Sequence, residues 1–337
     1  ITNFDELMDV FAMVKERYPD MAPMTFSSSH RFNVMLCWIG LGIAPFVEQA
    51  DGSYVYYIRD ERYKELMRIL NRMYQKGYLL AENFAAEPSQ LSSPVTSLYN
   101  SGKAFSVSTC TQTSNVNAQA KLARINPSYL SVELEPFEGS SFTTADLGWS
   151  GTFITTTNSN PGMSIELMRW MFTPEAQKLT QWGREGMEYN LNAQGLPEFT
   201  AGVLDSIADD TYTKTYNPWF YLGGSAIHEA EGRCMLLPWD LYEKPYTAIR
   251  KSYRNQEWVA AALPMGDEAE NEIYKRISNS VSSYESKVVL SATDDDFETA
   301  FSEYMNDMVL MDVERLERYM TEEIAVVKKR YDAIAGM

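Results

Sequence analysis

The stretch Tyr63-Lys64-Glu65-Leu66-Met67-Arg68-Ile69-Leu70-Asn71-Arg72-Met73-Tyr74-Gln75-Lys76-Gly77-Tyr78 sets Tyr63, Leu66, Met67, Leu70, Met73 and Tyr74 at helical spacing. Gly77 stands where a left-handed C-terminal cap belongs. An apolar stripe that wide needs a core to face. Before it, Asp51-Gly52 turns the chain into a strand predicted over 54–58 (Tyr-Val-Tyr-Tyr-Ile), and after it residues 103–109 form another. Strands alternating with helices place the chain in the α/β class.

The same reading extends outward. Thr2 or Asn3 caps an opening helix with Asp5 and Glu6 in its first turn and Leu7, Val10, Phe11 and Val14 on one face, and Pro19 ends it. A short strand is predicted over 21–28, running into the polar Ser27-Ser28-Ser29-His30-Arg31 loop; further strands are predicted over 129–135 and 151–157. Asn158-Ser159-Asn160-Pro161 opens a helix carrying Met163, Leu167, Trp170 and Met171, and Thr173-Pro174-Glu175 restarts it before Leu179 and Trp182; Gly183 stops it. Trp170 and Trp182 lie on helical stripes and read as core. Residues 196–245, rich in Pro, Gly, Trp and Tyr, read as loops and short helices. After Pro264-Met265-Gly266 the chain is helical almost to its end, with Asp294-Asp295-Asp296 reading as a cap before Phe297.

Composition narrows the function. The 337 residues are 45% hydrophobic and 22% charged, enough to bury a sizeable core. With 29 Lys and Arg against 46 Asp and Glu, the net charge of -17 opposes nucleic acid and anionic membrane surfaces. An aromatic fraction of 13% supplies flat amphipathic rings that suit sugar faces as well as cores. Cys37, Cys110 and Cys234 are too few and too dispersed for a disulfide framework, and with His30 and His228 they make no metal-ligand spacing. Phosphate-cradling glycine loops are missing. In Gly148-Trp149-Ser150-Gly151-Thr152 the glycine a nucleophile elbow needs after its serine is replaced by Thr152. No apolar run approaches the roughly 20 residues that span a bilayer.

Three stretches together resemble the extracellular solute-binding proteins of family 1. The first is Tyr63 to Tyr78 followed by Asn100-Ser101-Gly102-Lys103-Ala104. The second runs from Asn160-Pro161 through Arg169-Trp170-Met171-Phe172-Thr173-Pro174-Glu175-Ala176-Gln177 to Trp182-Gly183-Arg184-Glu185-Gly186-Met187-Glu188-Tyr189. The third is Tyr304-Met305-Asn306-Asp307-Met308 onward to Lys329-Arg330-Tyr331-Asp332, which departs from the family's usual Tyr-Asp-Arg-Tyr close. The resemblance implies an α/β, helix-rich, periplasmic-binding-protein-like fold of type II, with two lobes joined by a hinge. In that frame 1–140 with 215–337 form the second lobe and 141–214 the returning part of the first, expected to be incomplete because the family's N-terminal segment is not in this chain.

It further implies a carbohydrate-type substrate-binding lipoprotein of a bacterial ABC importer, extracellular and monomeric, with its signal and anchor outside this chain, capturing a sugar and delivering it to membrane permease subunits. The residues taken as ligand contacts are Trp149, Trp38, Trp239, Trp219, Arg184, Glu185, Tyr189 and His30. Aromatic rings would stack on sugar faces, and Arg, carboxylate and amide groups would bond hydroxyls. Against this, Trp149 also reads as a core or hinge residue, the Arg184 segment as a capping loop, and His30 as an ordinary hydrogen-bonded residue. No catalytic residue, metal or cofactor is expected. The competing readings are a carbohydrate hydrolase using two carboxylates, although no pair is marked in the sequence, and a non-catalytic peptide-binding or partner-binding surface domain.

Overall fold

The computed structural model describes residues 1–26, 32–85, 94–108, 113–144, 153–193, 195, 197–209, 211, 247–248, 251–266 and 268–335. Helix α1 (Phe4–Arg17) starts at Asn3, whose side chain accepts from the Glu6 amide at 2.9 Å, while Glu6 Oε2 accepts from the Thr2 amide at 2.8 Å. The first bond satisfies an amide that the first turn leaves unpaired, and the second pairs the amide of the residue just before the cap. Leu7, Phe11 and Val14 are buried, joined by Phe4. Strand β1 (Ala22–Phe26), buried throughout, is followed by α2 (Asn33–Trp38) and by the antiparallel hairpin β2 (Phe46–Glu48) and β3 (Tyr54–Tyr56).

The strand predicted through residue 58 stops at Tyr56. The next ladder position faces Pro45, which accepts from the Tyr57 amide at 3.0 Å and has no N–H to return the bond. Residues Tyr57–Arg59 therefore wind into a 3-10 turn that delivers the chain to α3 (Glu61–Gln75). Asp60 caps α3, and Tyr63, Leu66, Met67, Leu70 and Met73 are buried; Tyr74 is half-buried. The buried Asn71 sends its amide to the carbonyls of Val289 and Ser291 at 2.9 and 2.8 Å, tying this helix to the end of a distant one.

Then come α4 (Glu82–Ala85), α5 (Pro94–Asn100), β4 (Ala104–Ser108) and α6 (Thr113–Ile125). β4 pairs with β1 in parallel, Ala22 opposite Ala104. The strand expected over 129–135 does not form. Gln119 of α6 holds that segment instead, its Nε2 donating to the Tyr129 carbonyl at 2.9 Å and its Oε1 accepting from the Ser131 amide at 2.6 Å. β5 (Phe142–Thr144) follows. Of the strand expected over 151–157, the described part, 153–157, is irregular, with no strand beside it among the described residues.

Helices α7 (Pro161–Met171) and α8 (Pro174–Trp182) are capped by Asn160 and Thr173. At Gly183 the backbone takes φ +84°, and a Cβ would lie 2.7 Å from that of Glu188. The two tryptophans of this pair part company: Trp182 is buried, whereas Trp170, read as core, is exposed. The hairpin β6 (Tyr189–Leu191) and β7 (Pro197–Phe199) leads to α9 (Ala201–Ala208). β8 (Tyr253–Asn255) pairs in parallel with β5, and α10 (Glu257–Ala261), α11 (Ala269–Val289), α12 (Asp294–Leu310) and α13 (Val313–Ala335) complete the chain. The cap of α12 is Thr293 rather than the acidic triplet, which occupies the first turn. A threonine hydroxyl reaches the third amide from the cap, and the carboxylates then complement the helix dipole.

One hydrophobic cluster unites the two ends of the sequence. It draws on residues 4–84, Phe137 and residues 259–327, and among its largest fully buried members are Tyr63, Tyr304, Phe11 and Phe297. α13 closes the exposed edge of β3: Thr321 Oγ1 accepts from the Tyr54 amide and Glu317 Oε1 from the Tyr56 amide, both at 2.9 Å. An edge strand is thereby capped by side chains.

Candidate functional site

The short parallel pair β5 and β8 is where two distant parts of the chain run side by side, with Phe142 opposite Tyr253. The segment after α2 is pinned to it. Ile43 donates its amide to Thr143 Oγ1 at 2.9 Å, Ser141 donates to the Cys37 carbonyl at 2.8 Å, and Gly42, at φ +74°, presses so closely that a Cβ would stand 2.3 Å from Thr143 Oγ1. Cys37 is buried beneath this contact, and desolvation pushes its thiol up to about 12 against a weaker opposing backbone bond, so it stays a protonated, unreactive packing group.

Beside this junction opens a cavity of about 370 Å³, within the range of small-molecule sites. Its walls come from the pinned segment 42–45, from Tyr56 and Tyr57 at the end of β3, from Ala260 and Leu263 around α10, and from Tyr274 and Ser278 on α11. The helix that follows β8 and the loop that rests on β5 therefore both touch the same space. Tyr57 and Tyr274 are partly exposed, and Tyr56 is buried. Burial pushes the Tyr56 and Tyr57 phenols well above their ordinary value, and the nearby Glu285 adds in the same direction, so both rings are neutral amphipathic groups at physiological pH. Phenols, a serine and Asn33 beside apolar walls can hold an uncharged, hydroxyl-rich ligand by stacking and by hydrogen bonds.

The residues expected from the sequence are distributed differently. Trp38 ends α2 with its ring centroid 4.2 Å from Phe137 and 5.9 Å from Phe4, the contacts of a core residue. Arg184, Glu185 and Tyr189 do come together in the turn after α8. Arg184 is exposed and grips Glu188 through Nη2 at 2.8 Å and Nε at 3.2 Å, while its amide donates to the same carboxylate at 2.7 Å. That pairing lowers the Glu188 carboxyl and raises the guanidinium. Glu185 is exposed, and Tyr189 is buried against Trp182. His30, Trp149, Trp219 and Trp239 lie outside the described residues. The cavity tyrosines were missed because 54–58 read as a continuous strand, and because Tyr274 adjoins the buried stripe Ile273, Ile277 and Val281 of a plain amphipathic helix. Among the described residues, no group of three His, Cys, Asp or Glu side chains is placed to hold a metal ion.

Neither a protein-family model nor a curated protein matches the sequence. Solved structures do. The alginate-binding protein AlgQ2 is 16% identical with a TM-score of 0.62, the match covering 96% of this chain and 68% of that one. The chain has the fold of ABC-transporter solute-binding proteins. The N-glycan transport solute-binding protein NgtS from Streptococcus pneumoniae matches 98% of this chain and 68% of its own, with 15% identity and a TM-score of 0.59. An HMO-binding, ABC-transporter-associated solute-binding protein from Bifidobacterium longum infantis matches 96% and 69%, with 13% identity and a TM-score of 0.58. In this solute-binding fold the helix-rich α/β architecture is shared, and no helix among the described residues is long and apolar enough to cross a membrane.

Proposed function

We propose that this protein is the extracellular solute-binding component of a bacterial ABC importer, that it captures an oligosaccharide without transforming it, and that it passes the solute to membrane permease subunits. The observation that carries the reading is the fold, matched across 96% or more of the chain by structures whose names tie them to alginate, N-glycan and HMO binding. The cavity beside the β5–β8 junction supports it, since its neutral phenols and apolar walls suit a sugar. The lobe division into 1–140 with 215–337, and 141–214, accords with a core cluster drawn from 4–84, Phe137 and 259–327. Membrane attachment as a lipoprotein and a monomeric state belong to the same reading. The net charge of -17 favours neutral oligosaccharides over polyanionic ones such as alginate.

The test is thermal unfolding and titration calorimetry of the chain against alginate oligomers, the N-glycan fragment Man1GlcNAc and fructo-nystose, with product analysis of each mixture. A neutral oligosaccharide should raise the unfolding midpoint saturably, by the equivalent of about 2.7 kcal/mol at a hundredfold excess over Kd. Tyr274→Ala should weaken that response. Released shorter sugars would instead favour the hydrolase reading, and silence across the panel would remove the carbohydrate assignment.

A further inference from the structure

The wall of the cavity beside the β5–β8 junction carries no charge. Among the described residues it is built from phenols, aliphatic side chains, Asn33 and Ser278, with no Asp, Glu, Lys or Arg. Behind that wall stands a carboxylate. Glu285 comes four residues after Val281 and seven after Ser278 on α11, so it continues their face of the helix, about 6 and 10 Å further along. It is 6% exposed. Tyrosines connect it to the cavity. The buried Tyr63 donates its hydroxyl to Glu285 Oε1 at 2.9 Å. Edge-on to Tyr63, at 5.4 Å and 87°, is the ring of Tyr57, which packs on Tyr56 at 5.2 Å, and both of these line the cavity. Tyr304 of α12 is buried in the same cluster and stacks at 4.6 Å on Tyr284, the neighbour of Glu285.

Buried among these rings, the carboxylate acts through material of low dielectric, where a charge is felt further than at a wetted surface. The phenols register it: burial is the larger cause of their raised values, and Glu285 comes next at Tyr57, Tyr63 and Tyr304. We propose that Glu285 is the specificity-determining residue of this cavity: its negative charge, one layer behind a neutral wall, turns away solutes bearing a carboxylate, sulfate or phosphate and admits uncharged, hydroxyl-rich ones. The assignment rests on the reading of this cavity as the solute site. An acidic sugar would meet repulsion from Glu285 and no counter-charge in the wall, whereas a neutral ring meets neither. The net charge of -17 discriminates in the same direction, but over distances that salt screens. Selectivity set by a buried carboxylate persists in salt.

Two measurements test it, one of them free of any sugar, both in salt that brings the Debye length to about 3 Å. In the Ser278→Cys protein, alkylation at position 278 is followed by peptide mass spectrometry with anionic iodoacetate and with neutral iodoacetamide. Any change in the thiol itself cancels in the ratio of the two rates. With Glu285 in place, the iodoacetate-to-iodoacetamide ratio should lie roughly tenfold below that of the same protein unfolded in urea, the effect of one charge about 10 Å away at an effective dielectric constant near 20. Adding Glu285→Gln, which keeps an acceptor for Tyr63, should restore most of that factor, and Glu285→Asp, which keeps the charge, should not. In calorimetry, Glu285→Gln should narrow the preference for Man1GlcNAc over alginate oligomers by a similar factor. Equal ratios in the folded and unfolded protein, equal ratios with Gln and Asp, or an unchanged preference between bound sugars would each overturn the proposal. A ratio that shifts as expected while no sugar binds would remove the carbohydrate reading and leave the charge selectivity of the cavity standing.

Discussion

At Gly42 the chain passes so close to Thr143 that no side chain fits, and its φ of +74° is one that L-residues adopt at a cost. Gly42→Ala should therefore destabilise the protein by about 1–3 kcal/mol, combining backbone strain with the collision. A urea transition shifted to lower midpoint at unchanged slope would show this, and a wild-type midpoint would mean that the segment lifts off β5 freely. Glu317 makes a prediction of the opposite kind. Its carboxylate, carried by α13, is buried against the edge of β3, and desolvation raises its pKa above the ordinary 4.5 despite the Tyr56 amide and Arg59, which pull it down. A raised folded pKa means that the native state holds the proton more tightly than the unfolded one. Stability then falls as pH rises from about the unfolded value through the raised one. Glu317→Gln keeps the acceptor for Tyr56 and removes the titration. The wild type should lose stability relative to that variant as pH climbs above 4.5, and parallel profiles would refute the assignment. The half-exposed Glu298, lowered by Lys64 and Arg68, works with the other sign, and solvent screens it.

Among the elements, helices were legible where apolar spacing and a cap agreed, as in α1 with Asn3, α7 with Asn160 and α8 with Thr173. At α12 the spacing placed the helix but the acidic triplet was mistaken for its cap. Thr293 Oγ1 accepts from the Asp296 amide at 3.1 Å and donates to the Asp296 carboxylate at 2.7 Å. Thr293→Ala should cost about 1 kcal/mol in chemical denaturation. Asp295→Asn, which touches only the dipole, should cost about 0.3–1 kcal/mol. Strands were legible less often, because a strand needs a neighbour and the sequence of one segment does not contain the other. Residues 129–135 alternate like a strand, yet the side chain of Gln119 takes the backbone groups that a partner would have paired. Trp170 failed for the same reason in reverse: its helical stripe is real, and what the stripe faces is decided elsewhere. The site was legible only as chemistry. Tyrosine richness pointed to sugar-compatible surfaces, whereas the convergence of β3, α10 and α11 on one cavity depends on pairings between residues more than 200 apart.

For the whole molecule, the decisive feature is that the beginning and the end of the chain bury one another. Leu316 of α13 is fully buried in the cluster that also holds Phe11 of α1 and Leu66 of α3, and Asn71 of α3 bonds to the end of α11. Residues so interlocked open together, whereas α7, α8 and α9 bury few large side chains and stand outside that cluster. Native-state hydrogen exchange of residues 1–337 should accordingly separate two classes. The amides of α1, α3, α11, α12 and α13 should exchange only with global unfolding, and those of α7 to α9 through openings of much lower free energy. Leu316→Ala, a large-to-small change in a closed core, should cost about 2–5 kcal/mol. Its signature is that α1 and α3, far away in sequence, lose as much protection as α13 itself, while α7 to α9 keep theirs. Equal loss everywhere would make the molecule a single cooperative unit, and loss confined to α13 would mean that the terminal helix is an appendage to a core complete without it.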